Sequence, residues 1–213
     1  MVYHVDCSNV DELEKCAEII DNGGIVVYPT DTVFGIGCDP TIDQSVLRLY
    51  AIKERPLEKS LPVLTNDWRI VSRISHVTPQ AHMLQNSFWP GKLTLVLKLK
   101  ANHGLSRYVF NNNNNTIGLR IPSSPCILNL INMTRSKLLV GTSANLSRKN
   151  PPIRLEDIGE TILSKCDAIV INERLSGNNS GSTIVDVSGS GFPSIIREGA
   201  IPKEKILAVL NNA

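Results

Sequence analysis

Polar loops that follow predicted buried strands carry many of the side chains that could do chemistry in this sequence. Residues 29–37 (PTDTVFGIG) bring hydroxyls, a carboxylate and glycines to the end of a short apolar run. Open α/β sheets bind ligands beyond their strand ends, so this set suits a small zwitterionic ligand. A turn held only by local hydrogen bonds is the alternative. Residues 142–147 follow a second predicted strand and offer four hydrogen-bonding side chains in six residues.

Basic side chains indicate where an anion would bind. Lys53, Arg55 and Lys59 place three cations within seven residues at the end of a predicted helix. A triphosphate needs such a set where no P-loop is present, because arginine forks phosphate oxygens and lysine supplies point charge. The same cations could instead complement the helix C-terminus. Arg120 lies inside a predicted buried strand, where an unpaired charge is costly, so we expect it to hold a carboxylate or a phosphate.

Several familiar motifs are absent from the sequence. It contains no GxxxxGK[ST], and residues 35–37 lack the third glycine of a dinucleotide fingerprint. The four histidines show no spacing for a metal site or a triad. The five cysteines are odd in number, scattered and without a CxxC pair. We therefore expect reduced, mostly buried thiols in a cytoplasmic protein.

The hydrophobic pattern predicts the strands and helices that must position these loops. We expect Ser8 to cap a first helix that stops at residues 23–24, and Asp43 to cap a second that runs to about residue 52. Strands are expected at 25–28, 61–64, 93–99, 116–121, 138–141, 168–172, 182–187 and 194–197, and further helices within 68–86, 125–133, 155–165 and 202–210. Their interleaving predicts one α/β domain over residues 1–213, with a twisted mixed sheet, flanking helices and no second domain. The asparagine run at 111–115 is expected to be a loop without chemistry.

Composition and charge narrow the functional classes. The chain has 213 residues, of which 42% are hydrophobic and 20% charged, as in globular proteins with a sizeable core. No apolar run approaches the roughly 18 residues of a membrane helix, so we expect no membrane contact. Residues 48–154 carry 16 basic and 3 acidic side chains, a balance of 16 − 3 = +13, although the whole chain has a net charge of +2. This excess is either a solvated surface or a cationic cleft that attracts nucleotide phosphates or RNA.

Seven motifs resemble, in order, those of the YrdC-like family of threonylcarbamoyl-AMP synthases: PTDTVFGIG, KERP, PGKLTLVL, GLRIP, GTSANLS, GSTIVD and REGAI. The resemblance covers residues from about 8 to 208. It implies a twisted α/β sheet around a concave, positively charged cavity. It also implies that L-threonine, bicarbonate and ATP, with Mg²⁺, give threonylcarbamoyl-AMP and pyrophosphate. Partner proteins would then transfer the threonylcarbamoyl group to a tRNA adenosine beside the anticodon.

The resemblance further implies roles for individual side chains. L-threonine would be bound by Thr32, Arg120, Ser143 and Ser182. ATP would be bound by Lys53, Arg55, Lys59, Thr116, Asn145 and Arg197. Lys53, Arg55 and Ser143 would be the catalytic residues. The sequence offers no obvious covalent nucleophile and no strong general base, which fits chemistry dominated by positioning and charge stabilisation.

The sequence departs from commoner members of that family at three places. Lys59 stands where many members carry Asn, Leu64 where many longer members carry a threonine-contacting His, and residues 150–152 (NPP) replace a more usual Ser-Pro-Thr. Two other functions stay open. The basic middle section could make the chain a module that binds double-stranded RNA or tRNA, and the same cavity could serve a related carbamoyl transfer with another substrate.

Overall fold

The computed structural model describes residues 2–171 and 180–211. Its helices are α1 (Val10–Asp21), α2 (Asp43–Lys53), α3 (Trp68–Ile74), α4 (Pro79–Phe88), α5 (Pro125–Met133), α6 (Glu160–Leu163) and α7 (Lys203–Asn211), with a short 3-10 helix at Leu155–Asp157. Its strands are β1 (Tyr3–Asp6), β2 (Val26–Tyr28), β3 (Gly35–Gly37), β4 (Val63–Thr65), β5 (Ser75–His76), β6 (Leu93–Leu99), β7 (Thr116–Arg120), β8 (Leu138–Val140), β9 (Thr142–Ser143), β10 (Ala168–Ile171), β11 (Thr183–Asp186) and β12 (Ser194–Arg197). The strand predicted over 168–172 ends at Ile171, and position 172 lies outside the described residues. In the described ranges, none of the helices has the length and apolar character needed to cross a bilayer.

The strands form two mixed sheets where the sequence predicted one. The first sheet has the order β1-β10-β2-β3-β9, and the second has the order β12-β11-β6-β7-β4-β8, with β5 paired to β6. Parallel pairs such as β1 with β10 and β11 with β6 stand beside antiparallel pairs such as β2 with β3 and β6 with β7. The predicted α/β class is therefore confirmed. The division into two sheets was missed because hydrophobic runs predict where strands lie and not which strands pair.

The two sheets meet at the end of β8. The Val140 N–H donates to the Cys38 carbonyl at 2.9 Å, and the Val140 carbonyl accepts a 2.5 Å hydrogen bond from the Tyr28 hydroxyl. Gly37 passes so close that a Cβ there would lie 1.9 Å from the Val140 oxygen, so this position requires glycine. This close approach brings the polar loops of both sheets to one place.

The central strands of the second sheet separate the core from a polar face. In β6, Leu93, Leu95, Leu97 and Leu99 are buried in the main hydrophobic core, as the period-2 pattern predicted. Each fully buried leucine contributes roughly 1.5–3 kcal/mol. The intervening Thr94 and Val96 line a cavity on the opposite face, so the strand itself forms one of the cavity walls.

Helix starts differ in detail from the sequence prediction. Asn9, rather than Ser8, caps α1, because its side-chain oxygen accepts hydrogen bonds from the N–H groups of Asp11 and Glu12 at 3.1 and 3.3 Å. The Ser8 hydroxyl donates instead to Asp6 at 2.8 Å. The first residue of α2 is the predicted cap Asp43, one position inside the helix. Neighbouring polar residues compete for a capping position, and the sequence alone does not decide between them.

The expectation of five reduced thiols was wrong for one pair. Cys7 and Cys126 form a disulfide with a Cα–Cα distance of 5.7 Å, which joins the end of β1 to the start of α5. The two residues are 119 positions apart, so their spacing in the sequence does not predict that they pair. Cys16, Cys38 and Cys166 are free and buried, as expected. Burial raises the pKa of the Cys16 thiol to about 12, which keeps it protonated and unreactive.

Candidate functional site

A cavity of about 600 Å³ opens where the two sheets meet. Its wall combines the polar face of β6, β7 and β11 with the loops that follow β2, α2 and β8. Eight of the ten site residues predicted from the sequence line it: Thr32, Arg55, Lys59, Thr116, Arg120, Ser143, Ser182 and Arg197. Lys53 and Asn145 lie behind the wall. The structure thus gathers residues from six separate motifs around one volume.

Arg120 and Thr32 line one end of the cavity, and Asp31 pairs with Arg120 beside it; we name these three residues the Arg120 corner. The Arg120 guanidinium donates to the Asp31 carboxylate at 2.6 Å, to the Thr32 hydroxyl at 3.1 Å and to the Gly91 carbonyl at 2.8 Å. The side chains of Arg120 and Asp31 are only 7% and 10% exposed. Burial lowers the pKa of Arg120, and the Asp31 charge opposes that shift. The predicted carboxylate partner therefore exists within the protein itself.

The loop that carries Thr32 is a turn held by the Thr30 hydroxyl. This hydroxyl accepts from the Thr32 and Val33 N–H groups at 3.1 and 3.2 Å and donates to the Val33 carbonyl at 2.7 Å. Residues 30–33 therefore form a local turn, but the alternative of local hydrogen bonds alone was wrong, because Asp31 and Thr32 also accept hydrogen bonds from Arg120. The turn fixes the backbone so that the Thr32 side chain meets both Arg120 and the cavity.

The second cationic region, which we name the KERP loop, covers residues 53–59. The Arg55 guanidinium donates to the Lys59 carbonyl at 3.1 Å and to the Ser60 carbonyl at 2.8 Å, and the Tyr50 hydroxyl also donates to the Lys59 carbonyl, at 2.7 Å. Within residues 2–171 and 180–211, neither Arg55 nor Lys59 forms an ion pair. Desolvation lowers the pKa of Arg55. Both side chains present uncompensated charge to the cavity.

Lys53 lies elsewhere than its predicted phosphate contact would require. Its side chain is 2% exposed, and its ammonium donates to the backbone carbonyls of Ser143 and Asn145, the latter at 2.7 Å. Burial, followed by the nearby Arg55 charge, lowers the pKa of Lys53 to about 7. The two cations at the ends of the tripeptide 53–55 therefore face different ways, Lys53 into the protein and Arg55 into the cavity.

The far wall comes from β7, β11 and β12. Thr116 faces the cavity from β7, and the Ser182 hydroxyl lies 2.8 Å from that of Thr94. Arg197 donates to the Ser182 carbonyl through two nitrogens, at 2.7 and 3.2 Å. Partial desolvation and the positive charge of Arg120 lower the pKa of Arg197, so the two guanidiniums share the field of one cavity.

Residues 143–147 divide between the cavity and the loop interior. Ser143 lines the cavity, but the Asn145 amide donates to the carbonyls of Leu146 and Lys149 at 2.8 and 2.7 Å. The Asn145 side-chain oxygen and the Ser147 hydroxyl are buried and have no hydrogen-bond partner among the described residues. Asn145 therefore organises its own loop in this structure, and its predicted nucleotide contact stays a prediction.

Some residues that line the cavity or support its wall were not singled out from the sequence. Asp31 was noted within its motif but received no partner, because Arg120 lies 89 positions away. Asn111 and Asn114 line the cavity although the asparagine run was expected to be a loop without chemistry. A run of one residue type has no pattern that indicates which of its members face a cavity. Leu64 and Pro151, where the sequence departs from the commoner motif, also face the cavity.

Comparisons with known proteins agree with this architecture. A family model named Sua5/yciO/yrdC, described as "Telomere recombination", matches residues 18–199. The chain belongs to the Sua5/YciO/YrdC family. Crystal structures of P. abyssi Sua5 complexed with L-threonine and of E. coli YciO are similar to this family member, at 27% and 23% identity with TM-scores of 0.87 and 0.80. A solution structure of MTH1692 from Methanobacterium thermoautotrophicum matches at 27% identity and a TM-score of 0.67.

The lengths of these relatives differ. The matches cover 99% of this chain and 61% of the Sua5 chain, 95% and 97% for YciO, and 89% and 87% for MTH1692. The chain therefore spans about three fifths of the length of the Sua5 protein that it resembles. The family model matches residues 18–199. This range contains the strands that line the cavity, among them β6, β7, β11 and β12.

Proposed function

We propose that this chain is an L-threonylcarbamoyladenylate synthase, which forms threonylcarbamoyl-AMP and pyrophosphate from L-threonine, bicarbonate and ATP. The observation that carries the proposal is that eight of ten residues singled out from the sequence meet around one cavity of about 600 Å³. Family membership supports the same type of reaction. Similarity to P. abyssi Sua5, whose structure was determined with L-threonine, supports threonine as the amino acid.

The Arg120 corner is the proposed site for threonine. A guanidinium has five N–H donors, and three hydrogen bonds to Asp31, Thr32 and Gly91 leave two for the oxygens of a carboxylate. Because Asp31 already neutralises Arg120, a zwitterion with no net charge suits this corner better than a polyanion does. The hydroxyls of Thr32 and Ser182 offer further polar contacts on the same wall.

The triphosphate is proposed to lie against Arg55, Lys59 and Arg197. These cations line the cavity and form no ion pair within the described residues. Hydrogen bonds from charged donors to phosphate are short and about twice as strong as neutral ones. The backbone carbonyls that hold Arg55 fix its orientation without neutralising it. ATP enters as its magnesium complex.

The protein would supply few of the ligands of that magnesium ion. Among the described residues, no group of three or more His, Cys, Asp or Glu side chains is arranged to hold a metal. Of the cavity carboxylates, Asp186 already accepts hydrogen bonds from the N–H and hydroxyl of Ser188, at 2.9 and 2.7 Å. Glu58 lies beside Lys59 at the rim. The donor set thus fits a metal bound mainly to substrate phosphates.

The proposed chemistry needs positioning more than proton transfer by the protein. The threonine amine attacks the carbon of CO₂ derived from bicarbonate and loses a proton, which gives a carbamate. A carbamate oxygen then attacks the α-phosphorus of ATP, and the bond to the bridging oxygen breaks as pyrophosphate leaves with both electrons. Arg55, Lys59 and Arg197 would stabilise the charge that develops on the leaving group, and Ser143, which also lines the cavity, would contact the substrates where the two proposed subsites meet.

Pyrophosphate release by the full chain tests this proposal. We expect release only when ATP, Mg²⁺, bicarbonate and L-threonine are all present. Arg55→Ala should reduce turnover at least tenfold. Lys98→Ala is the matched control, because Lys98 is exposed on β6 at a position that does not line the cavity. Equal turnover without threonine or without bicarbonate would contradict the proposal.

A further inference from the structure

Lys53 is unusual because it is a fully buried lysine that has no carboxylate partner among the residues the structure describes. Its side chain is among the largest that solvent does not reach, at 2% exposure, and no ion pair includes it within residues 2–171 and 180–211. Lysine is almost never fully buried unless it is paired. Here its hydrogen-bond partners are two backbone carbonyls, those of Ser143 and Asn145. The burial of Lys53 needs an explanation, because a lysine that binds phosphate at a surface would be exposed to the cavity.

The backbone of Lys53 is tied to the same loop. Its carbonyl accepts a hydrogen bond from the Ser147 N–H at 2.9 Å. Glu54 adopts a left-handed conformation with φ 49° and ends α2, so that the chain reverses at once. The reversal directs Lys53 into the protein and Arg55 toward the cavity. Both ends of one residue thus connect the C-terminus of α2 to residues 143–147.

We propose that Lys53 is a positioning residue that holds residues 143–147 in the conformation that presents Ser143 to the cavity, and that it does not bind phosphate itself. The proposal rests on the proposed function for what the loop does, but its structural part is independent of the substrate. It assigns Lys53 a role different from the one that the sequence motif implied. Arg55 and Lys59 are then the phosphate ligands of the KERP loop.

The Asn145 carbonyl depends on this donor, because no other hydrogen bond reaches it within the described residues, whereas the Ser143 carbonyl also accepts one from the Asn145 N–H at 2.9 Å. A buried carbonyl without a partner costs about 1–3 kcal/mol. The first residues of the loop are held without Lys53. Ser143 in β9 pairs with Gly35 in β3, and the Ala144 N–H donates to the Phe34 carbonyl at 2.8 Å. Loss of Lys53 should therefore loosen the loop from Asn145 onward more than it loosens β9.

Binding of inorganic tripolyphosphate separates the two roles without use of the proposed substrates. We expect Lys53→Met to change the tripolyphosphate Kd less than twofold, whereas Arg55→Ala should raise it at least tenfold. Lys100→Met is the matched control, because the Lys100 ammonium also donates to a backbone carbonyl, that of Ser72 at 2.6 Å, and it does not line the cavity. A Lys53→Met loss as large as that of Arg55→Ala would overturn the proposal.

Hydrogen–deuterium exchange measures the loop itself. We expect residues 144–149 of Lys53→Met to exchange at least tenfold faster than in the wild type, with exchange in β6 and β7 unchanged. Lys53→Gln keeps two N–H donors on a shorter side chain and should recover part of this protection; it also serves as the test variant if Lys53→Met does not fold. Unchanged exchange in the loop would overturn the positioning role. This arm decides the proposal even if the wild type shows no synthase activity.

Turnover adds a readout that a purely structural role would not move. If the wild type releases pyrophosphate as proposed, Lys53→Met should lower kcat at least tenfold and change the KM for ATP less than threefold, because the phosphate ligands remain. A large rise in the KM for ATP with kcat preserved would contradict the positioning role. Absence of wild-type turnover would count against the proposed function alone.

Discussion

The Arg120 corner and the KERP loop both present arginine to the same cavity, but they treat its charge in opposite ways. Arg120 is 7% exposed at its side chain and is neutralised by Asp31 at 2.6 Å. Arg55 is held by the carbonyls of Lys59 and Ser60, which orient the guanidinium and leave its charge uncompensated. The positive charge of this cavity is therefore unevenly distributed between its two ends. At the Arg120 corner the positive charge is neutralised, and at the KERP loop it is available to an anion.

This division would suit the two different ligands of the proposed reaction. A polyanion gains most where cations have no counter-ion, because it does not need to displace a carboxylate. A zwitterion gains little from net charge and more from a fixed array of donors, which the Arg120 corner offers.

Loss of Asp31 should have the largest effect on stability. Asp31→Ala leaves the buried Arg120 guanidinium without its counter-ion, and removal of one partner of a buried pair typically costs about 3–5 kcal/mol. Chemical denaturation should show a loss of that size. Arg55→Ala is the comparison variant, and it should lose less than about 1 kcal/mol because Arg55 has no ion pair among the described residues. Equal losses for the two variants would remove the contrast between the two ends.

Lys53 should make stability depend on pH. Its pKa is about 7 in the folded chain and 10.5 when unfolded, so from about pH 7 upward the unfolded chain binds a proton that the folded chain lacks. The free energy of unfolding should therefore rise with pH, by about 1 kcal/mol per unit between pH 7 and 8.5. The measurement is the difference between wild type and Lys53→Met, so that contributions of other groups cancel. A difference that is flat or falls with pH would contradict the burial of Lys53.

The basic residues beyond the cavity should have the smallest effect on catalysis. Arg135 and Lys137 precede β8, and Arg148 and Lys149 follow β9, so the fold separates them into two groups. Arg135 lies 3.5 Å from Asp21, and the Lys137 ammonium donates to the Asn132 carbonyl. Changing all four to Ala should leave ATP turnover within twofold. If tRNA binds this surface, its affinity should fall and its salt dependence become shallower; an unchanged slope would remove direct binding by these residues.

The sequence predicts local features of this molecule well and long-range pairs poorly. The alternation in β6 correctly indicates one buried face and one wetter face. Burial of Arg120 in a strand correctly indicates the need for an anionic partner. That partner is Asp31, and it could not be identified because strand order, which brings positions 89 apart together, is not encoded in either motif. The Cys7–Cys126 disulfide was missed for the same reason.

Lys53 shows a second kind of limit. Residue type and spacing group it with Arg55 and Lys59, because all three are cations within seven positions. Which of them faces the cavity depends on where α2 ends, and the left-handed Glu54 sets that end. No sequence signal marks a glutamate for that conformation, which favours glycine. The motif therefore groups three cations in sequence, but it does not indicate that one of them, Lys53, is buried.

Calorimetric titration of both ligands against two variants tests the division of the cavity most directly. Arg55→Ala should weaken ATP roughly ten- to a hundredfold, as expected for one lost charge-assisted contact of about 1.5–3 kcal/mol, and should change L-threonine affinity less than twofold. Thr32→Val, which removes a hydroxyl of the Arg120 corner and keeps the Arg120–Asp31 pair, should weaken L-threonine several-fold and leave ATP unchanged. If either variant lost affinity for both ligands, or if Arg55→Ala weakened only L-threonine and Thr32→Val only ATP, the proposed division of the cavity would be wrong.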